Sequence, residues 1–272
     1  MTNPLHLSQF ELTGADTLTF LQGQLSTDLK LVGEQAQITA ICNLKGRADF
    51  VLWVTQPAPN QFTLAIHPSL REKLIQHIKK YAAFSDVKLN ESGSTYLCCN
   101  QACDQQVALE ELPSTDPLTH TDQPRYLFTQ LADSALTPLD LIKQGVSVIT
   151  DETAGLFQPQ ELRLNELGGV SYSKGCYLGQ EVVARLWFKS APKAWLHLLS
   201  GETPVQPGSQ ITEQVQVVSQ SSGYALVVAR RAAIDLLCTD PSGSAPTDPT
   251  NWQLKPLPSH FKSSPARIQP DN

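Results

Sequence analysis

Between residues 37 and 84 the chain changes periodicity in a way that leaves few folds open. QITAIC (37–42), ADFVLWVT (48–55) and QFTLAI (61–66) are short runs rich in branched and aromatic residues, the side chains that suit a pleated surface. Turn chemistry, NLKGR included, lies between them, which predicts an antiparallel meander. SLREKLIQHIKKYAAF (69–84) follows, with Leu70, Leu74, Ile78 and Tyr81 at helical spacing and Ser69 and Glu72 in capping-box positions, which predicts an amphipathic helix. An antiparallel sheet with a helix packed on it belongs to the α+β class.

Other segments extend this pattern. Residues 5–12 read as a strand, and Asp16 is placed to cap a helix carrying Leu18, Leu21 and Leu25. TYLCC, QVALEEL and RYLFTQL read as further strands or short helices, separated by the polar, proline-bearing LPSTDPLTHTDQP (112–124), which marks a surface loop or a seam before a second lobe. FQPQELRLNEL predicts one short helix, Gly168-Gly169 a turn, and SKGCYLGQE (173–181) opens a second helix containing Val182, Val183 and Leu186. Beyond Ala191, KAWLHLLS, SQITEQVQVVS and GYALVVARRAAIDLLC read as strands of a small all-β unit. From about Thr239 the density of Pro, Ser, Asp and Gly predicts loop and loose tail.

The 272 residues allow one to three domains, and 41% hydrophobic with 17% charged residues fits a folded, soluble chain. No apolar run approaches the roughly 20 residues that span a bilayer, and MTNPLHLSQFEL has neither the basic nor the apolar region of a secretion signal. The expected location is cytoplasmic. The six cysteines are accordingly read as reduced thiols, and the spacing in CCNQAC does not match a zinc site, so no metal site is assigned. A formal net charge of −6 argues against broad nucleic-acid binding.

Cys176 is the residue with most chemical scope. It could serve as a nucleophile, a metal or cluster ligand, or a small apolar filler. A position at a helix N-terminus, with Lys174 two residues away, would favour thiolate, and Gly175 and Gly179 leave the backbone open to a ligand or partner. Glu181 and Arg185, four apart, suit a surface helix pair worth a few tenths of a kcal/mol. Lys45, Arg47, Arg163, Lys174, Arg185, Lys189 and Lys193 lie in or beside these segments and would suit an anionic ligand if the fold gathers them. Trp53, Trp187 and Trp195 lie in apolar runs and are read as core.

FLQGQLSTD (20–28), CNLKGRADF (42–50) and FQPQELRLNELGGVSYSKGCYLGQEVVAR (157–185) together resemble the YgfZ-type proteins, folate-binding-like relatives of the glycine-cleavage aminomethyltransferase (GcvT-like). The resemblance covers most of residues 5–230, and Lys174-Gly175-Cys176-Tyr177-x-Gly179-Gln180-Glu181 is its most specific string. It implies an aminomethyltransferase-like folate-binding region over 1–190 with a ferredoxin-like lobe at about 60–135, a C-terminal β-barrel over 191–256 and a tail from 257 to 272. It further implies tetrahydrofolate or a related folate as ligand, a role in assembly or repair of iron-sulfur clusters in client enzymes, and through these a link to tRNA modification; the acidic balance and the absence of aromatic-basic RNA motifs argue against direct tRNA contact. Its implied site consists of Cys176 as reactive thiol with Lys174 tuning it, and Lys45, Arg47, Gln160, Tyr177, Gln180, Glu181 and Arg185 around the ligand. Partners are then a folate-like anion and iron-sulfur client or assembly proteins.

Two departures qualify this. The aspartate pair of the aminomethyltransferases falls at Phe50 and Val51, which removes the acid that handles folate N5 and argues against a classical aminomethyltransferase. An acid that many relatives carry two residues before the glycine at 145 is here Lys143. A tetrahydrofolate-dependent one-carbon transferase and a direct tRNA-binding modification factor stand as the alternative functions, and a non-folate anion as the alternative ligand.

Overall fold

The computed structural model describes residues 3–99, 125–190, 192–238 and 252–261. The segment QVALEEL, the loop 112–124 and Cys103 lie outside the described residues. The expected meander forms as β2 (Gln37–Cys42), β3 (Ala48–Ala58) and β4 (Gln61–Ile66). β1 (His6–Thr13), β5 (Lys88–Cys99) and β6 (Tyr126–Thr129) join it in one antiparallel sheet of order β2-β3-β4-β1-β5-β6. Successive residues of a strand point to opposite faces. Ile38 to Cys42 and Phe62 to Ile66 are buried in unbroken succession, so both faces of the sheet are covered there. The covering side chains include Phe20 and Leu21 of α1 (Thr17–Gln22) and Leu70, Leu74 and Ile78 of the first long helix and its approach. Fully burying each such side chain stabilises the fold by about 1.5–3 kcal/mol.

That long helix, α2 (Arg71–Tyr81), begins later than its sequence signature suggests. Pro68–Leu70 form a 3-10 turn instead. Ser69 Oγ accepts a hydrogen bond from Asp151 N (3.0 Å) and Glu72 pairs with Arg71, so neither is available for a capping box. A capping box does form at α3 (Pro138–Lys143), where Thr137 and Asp140 bond reciprocally. The helix expected in 157–167 reduces to a 3-10 turn, Leu164–Leu167, because Arg163 adopts a left-handed conformation (φ 59°). Arg163 is buried in a two-pronged ion pair with Glu166, both bonds 2.8 Å, and its guanidinium lies 4.8 Å over the Phe261 ring.

The second sheet contains β7 (Trp195–Ser200), β8 (Gln210–Thr212), β9 (Val215–Ser221), β10 (Tyr224–Ala229) and β11 (Gln253–Lys255), in the antiparallel order β11-β7-β10-β9-β8. α4 (Gln180–Phe188) leads into it and α5 (Arg231–Cys238) follows β10. The run GYALVVARRAAIDLLC is therefore strand only as far as Ala229. Its Arg-, Ala- and Leu-rich second half has high helix propensity, with Arg231 bonded to Asp235 one turn on (2.8 Å). Residues 252–261 are packed into the fold, and the rest of the segment expected to be loop and tail lies outside the described residues. β11 extends the sheet, and Leu257 and Phe261 pack where Gly145 leaves no side chain of its own. Among the described residues no helix is long and apolar enough to cross a membrane.

Candidate functional site

Three sequence segments that lie far apart along the chain are tied together by two junctions, and a cleft opens beside the second. The 23–28 turn receives the 168–178 segment: Ser26 Oγ donates to Gly169 O (2.5 Å), Ser171 N to Ser26 O (2.8 Å) and Leu178 N to Gly23 O (3.0 Å). Lys174 completes this junction, its ammonium donating to Leu25 O and Thr27 O, both at 2.7 Å. Burial lowers the Lys174 pKa to about 8, and its Nζ stands 5.2 Å over the Tyr177 ring.

The second junction joins the β2–β3 turn to α4. Gly46 (φ 69°) and Gly179 (φ 78°) both hold left-handed conformations and both face the other segment: a Cβ on Gly46 would meet Val182 Cβ at 2.8 Å, and one on Gly179 would meet Asn43 O at 2.4 Å. Glycine is required at both places by conformation and by space. Gly179 is also the residue at which α4 starts. Cys176 consequently sits in the loop before the helix, not in its first turn as the sequence suggested, and it is exposed to solvent.

The cleft between these parts has a volume of about 510 Å³ and is lined by Asn43, Leu44, Lys45, Arg47, Asp49, His77, Tyr81, Gly155 and Leu178. Asn43 organises its floor. Its Oδ1 accepts from Lys45 N (3.0 Å) and Arg47 N (3.2 Å), and its Nδ2 donates to Asp49 Oδ1 (2.7 Å). Burial pushes the Asp49 pKa up, opposed by the Asn43 hydrogen bond and the charge of Lys73. Gly155 N donates to Ala48 O and Ala48 N to Phe157 O, both 2.8 Å, fixing the start of β3, and Arg47 donates to Leu156 O. On the α2 side, His77 bonds Gln24 (2.9 Å), packs 4.6 Å from the Tyr81 ring and meets Phe50 edge-on at 5.6 Å. Burial lowers its pKa to about 4, and nearby Lys80 acts in the same direction.

Of the residues singled out from sequence, Lys45 and Arg47 line the cleft. Gln160 is buried behind it and donates to Val183 O (2.6 Å). Tyr177 is buried beneath Lys174, and Gln180 reaches back to Lys174 O (3.4 Å). Glu181 and Arg185 are exposed on α4 and, among the described residues, do not pair. The cations do not form one patch: Arg163 and Lys174 are engaged internally, and Lys143 lies 4.9 Å over the Tyr224 ring of β10. Trp53 is core, and Trp187 stacks on Tyr172 at 4.4 Å.

No family model matches the chain. It is 31% identical over 229 residues to the tRNA-modifying protein YgfZ of Escherichia coli O157:H7 (strain EC4115 / EHEC), covering 72% of this chain and 70% of that protein. The chain belongs to the YgfZ family. A second YgfZ relative, from Hamiltonella defensa subsp. Acyrthosiphon pisum (strain 5AT), is 29% identical over 257 residues, covering 80% of this chain and 76% of its own. The crystal structure of glycine cleavage system aminomethyltransferase T from Bartonella henselae superposes with a TM-score of 0.52 over 85% of this chain and 80% of that one, at 13% identity. The YgfZ-family chain therefore has the mixed α/β, aminomethyltransferase-like fold.

Within this cleft, sequence reasoning missed Asn43, Asp49, His77, Tyr81 and Gly155. Phe50 and Val51, where the aspartate pair of the aminomethyltransferases would fall, are buried, and Asp49, one position earlier, brings a carboxylate to the cleft. The available signal was His77 and Tyr81, one helical turn apart on the α2 face that the hairpin approaches.

Proposed function

We propose that the protein is a cytoplasmic folate-binding accessory factor that supports assembly or repair of iron-sulfur clusters in client enzymes and, through them, tRNA modification. The name of the YgfZ relatives, tRNA-modifying protein, supports the last part, and the aminomethyltransferase-like fold supports a folate as ligand. The observation that carries the reading is the cleft lined by the 42–50 motif segment, by Leu178 of the 157–185 segment and by His77 and Tyr81 of α2. Its volume of about 510 Å³ lies within the range of small-molecule sites.

The lining fits a planar heterocycle with an anionic tail. Lys45 and Arg47 suit carboxylates, Asn43 and Asp49 present polar atoms to a ring edge, and His77 with Tyr81 offers aromatic surface. A bound tetrahydrofolate would supply a reduced pterin able to carry one-carbon units. The chain's residues bind and orient it: Arg47 is steadied by Leu156 O, and Asn43 holds the turn through two backbone N–H groups. Exposed Cys176 supplies the thiol that meets a partner or a reactive intermediate.

Calorimetric titration with tetrahydrofolate and its polyglutamates tests the ligand. Saturable binding, weakened by Lys45→Ala, is expected; no heat with any folate overturns the folate reading. Replacing Cys176 with alanine and assaying cluster-dependent tRNA-modifying enzymes in cells tests the role, and unchanged activity overturns the part given to the thiol.

A further inference from the structure

Arg163 is held where an arginine is costly twice over. It is 5% exposed and its backbone is left-handed (φ 59°), so a buried cation and a strained conformation coincide at one residue. Two contacts offset this. Glu166 receives the guanidinium in the two-pronged pair, and the Phe261 ring lies 4.8 Å from it. Glu166 belongs to the same 3-10 turn and moves with it. Phe261 comes from the far end of the chain.

Phe261 ends a strap, residues 252–261, that runs from the second sheet to the first. Its start is stitched to the second sheet: Trp252 is buried over Gly201, where a Cβ would lie 2.7 Å from the indole, and β11 pairs with β7. Its end turns back, Phe261 N donating to Pro258 O (3.0 Å), and seats Leu257 and Phe261 over Gly145. A Cβ on Gly145 (φ 72°) would meet Phe261 at 2.5 Å and Leu257 at 3.0 Å. That seat is tied to the first sheet, since the neighbouring Gln144 accepts from Tyr126 of β6 (2.8 Å).

On its other side Arg163 continues into the segment that pins β3. Arg163 N donates to Gln160 O (3.0 Å), Leu164 N to Pro159 O (3.0 Å) and Leu162 N to Gln158 O (3.2 Å). One residue earlier, Phe157 O accepts from Ala48 N, and Gly155 N donates to Ala48 O, both 2.8 Å. Contacts and hydrogen bonds therefore lead from Phe261 to the first residue of β3.

We propose that the strap is a latch in which Phe261 keeps Arg163 left-handed and so couples the seating of β11 on the second sheet to the closure of residues 155–163 on β3. The Arg163 turn is the two-state element that both ends bias, which is the physical requirement for such coupling. With the ring in place the guanidinium is shielded and the strained form holds. With the ring withdrawn, water reaches the cation, Arg163 relaxes to the right-handed region and the bonds at Ala48 open. A partner that peels the strap from Gly145 would thereby loosen the start of β3 at a distance.

Native-state hydrogen exchange of the full chain, resolved residue by residue, tests this. In Phe261→Ala the amides of Ala48, Gly155 and Leu164 should exchange at least about tenfold faster than in wild type, while the β1–β4 ladder keeps its rates. Phe261→Leu, which retains bulk without the ring, should show the same pattern at smaller size and decides the matter if Phe261→Ala folds poorly. Acceleration confined to residues 252–261, or spread evenly over both sheets as plain loss of packing gives, overturns the latch. Replacing Arg163 with glycine together with Glu166→Gln removes both charges and the strain. In that background Phe261→Ala should no longer affect Ala48 and Gly155, and an undiminished effect there overturns the route through Arg163.

Discussion

A side chain on Gly179 would place its Cβ 2.4 Å from the carbonyl oxygen of Asn43, so the loop before α4 and the β2–β3 turn touch backbone to backbone. Gly179→Ala adds both this collision and a left-handed strain (φ 78°), and should destabilise the protein by about 1–3 kcal/mol or more. Gly175→Ala, in the same motif, meets nothing within 4 Å and should stay within about 0.5 kcal/mol of wild type. Urea unfolding midpoints of the two variants check this, and equal midpoints would refute the contact.

Lys174→Met leaves the carbonyls of Leu25 and Thr27 without their donor, a loss of about 1–3 kcal/mol per unsatisfied group. The pH dependence has a definite sign. The folded pKa is lowered to about 8 from 10.5, so the folded state holds this proton less tightly than the unfolded chain. The contribution is complete above the ordinary value and lost as pH falls through about 8. The stability gap between wild type and Lys174→Met should widen from pH 8 to pH 10; a gap that narrows contradicts the assignment.

His77 should act as an acid-sensitive element. Its folded pKa is about 4 against 6.5, so its contribution is present above pH 6.5 and lost as pH falls toward 4. His197, half-buried in β7, is lowered to about 4 as well and contributes in the same window. The comparison of wild type with His77→Gln isolates His77, because His197 is common to both. Melting temperatures measured from pH 7 to pH 4 should converge as the pH falls.

Thiol accessibility separates the cysteines. Cys176 is exposed, whereas Cys42 is buried and its pKa is pushed up to about 12 by burial and by the charge of Asp49. Native-state alkylation followed by peptide mapping should modify Cys176 at least about tenfold faster than Cys42, with Cys42 reacting after unfolding. Early modification of Cys42 would show that the β2 end opens readily.

The meander, α2 and the three motif segments could be read from sequence because each depends on local periodicity or on a run of fixed residues. Features that arise where segments meet could not. Lys174 suggested a charge beside Cys176, but its side chain turns to the 23–28 turn, some 150 residues earlier in the chain. Ser69 and Glu72 match a capping box, yet Asp151 and Arg71 compete for them. Asp49 stands one position before the family's aspartate pair, and its place in the cleft depends on Asn43, which carries no distinctive local pattern. The helical half of GYALVVARRAAIDLLC was hidden because a buried strand and a buried helix share the same apolar density over short stretches.

Because the cleft takes its walls from residues as distant as Asn43, His77, Gly155 and Leu178, no fragment of the folding chain can present it early; long loops must close first. A guest seated there would lock several remote stretches at once and raise the melting temperature of the entire unit. Ligand-induced stabilisation would thus be felt along the chain and not at the cleft alone.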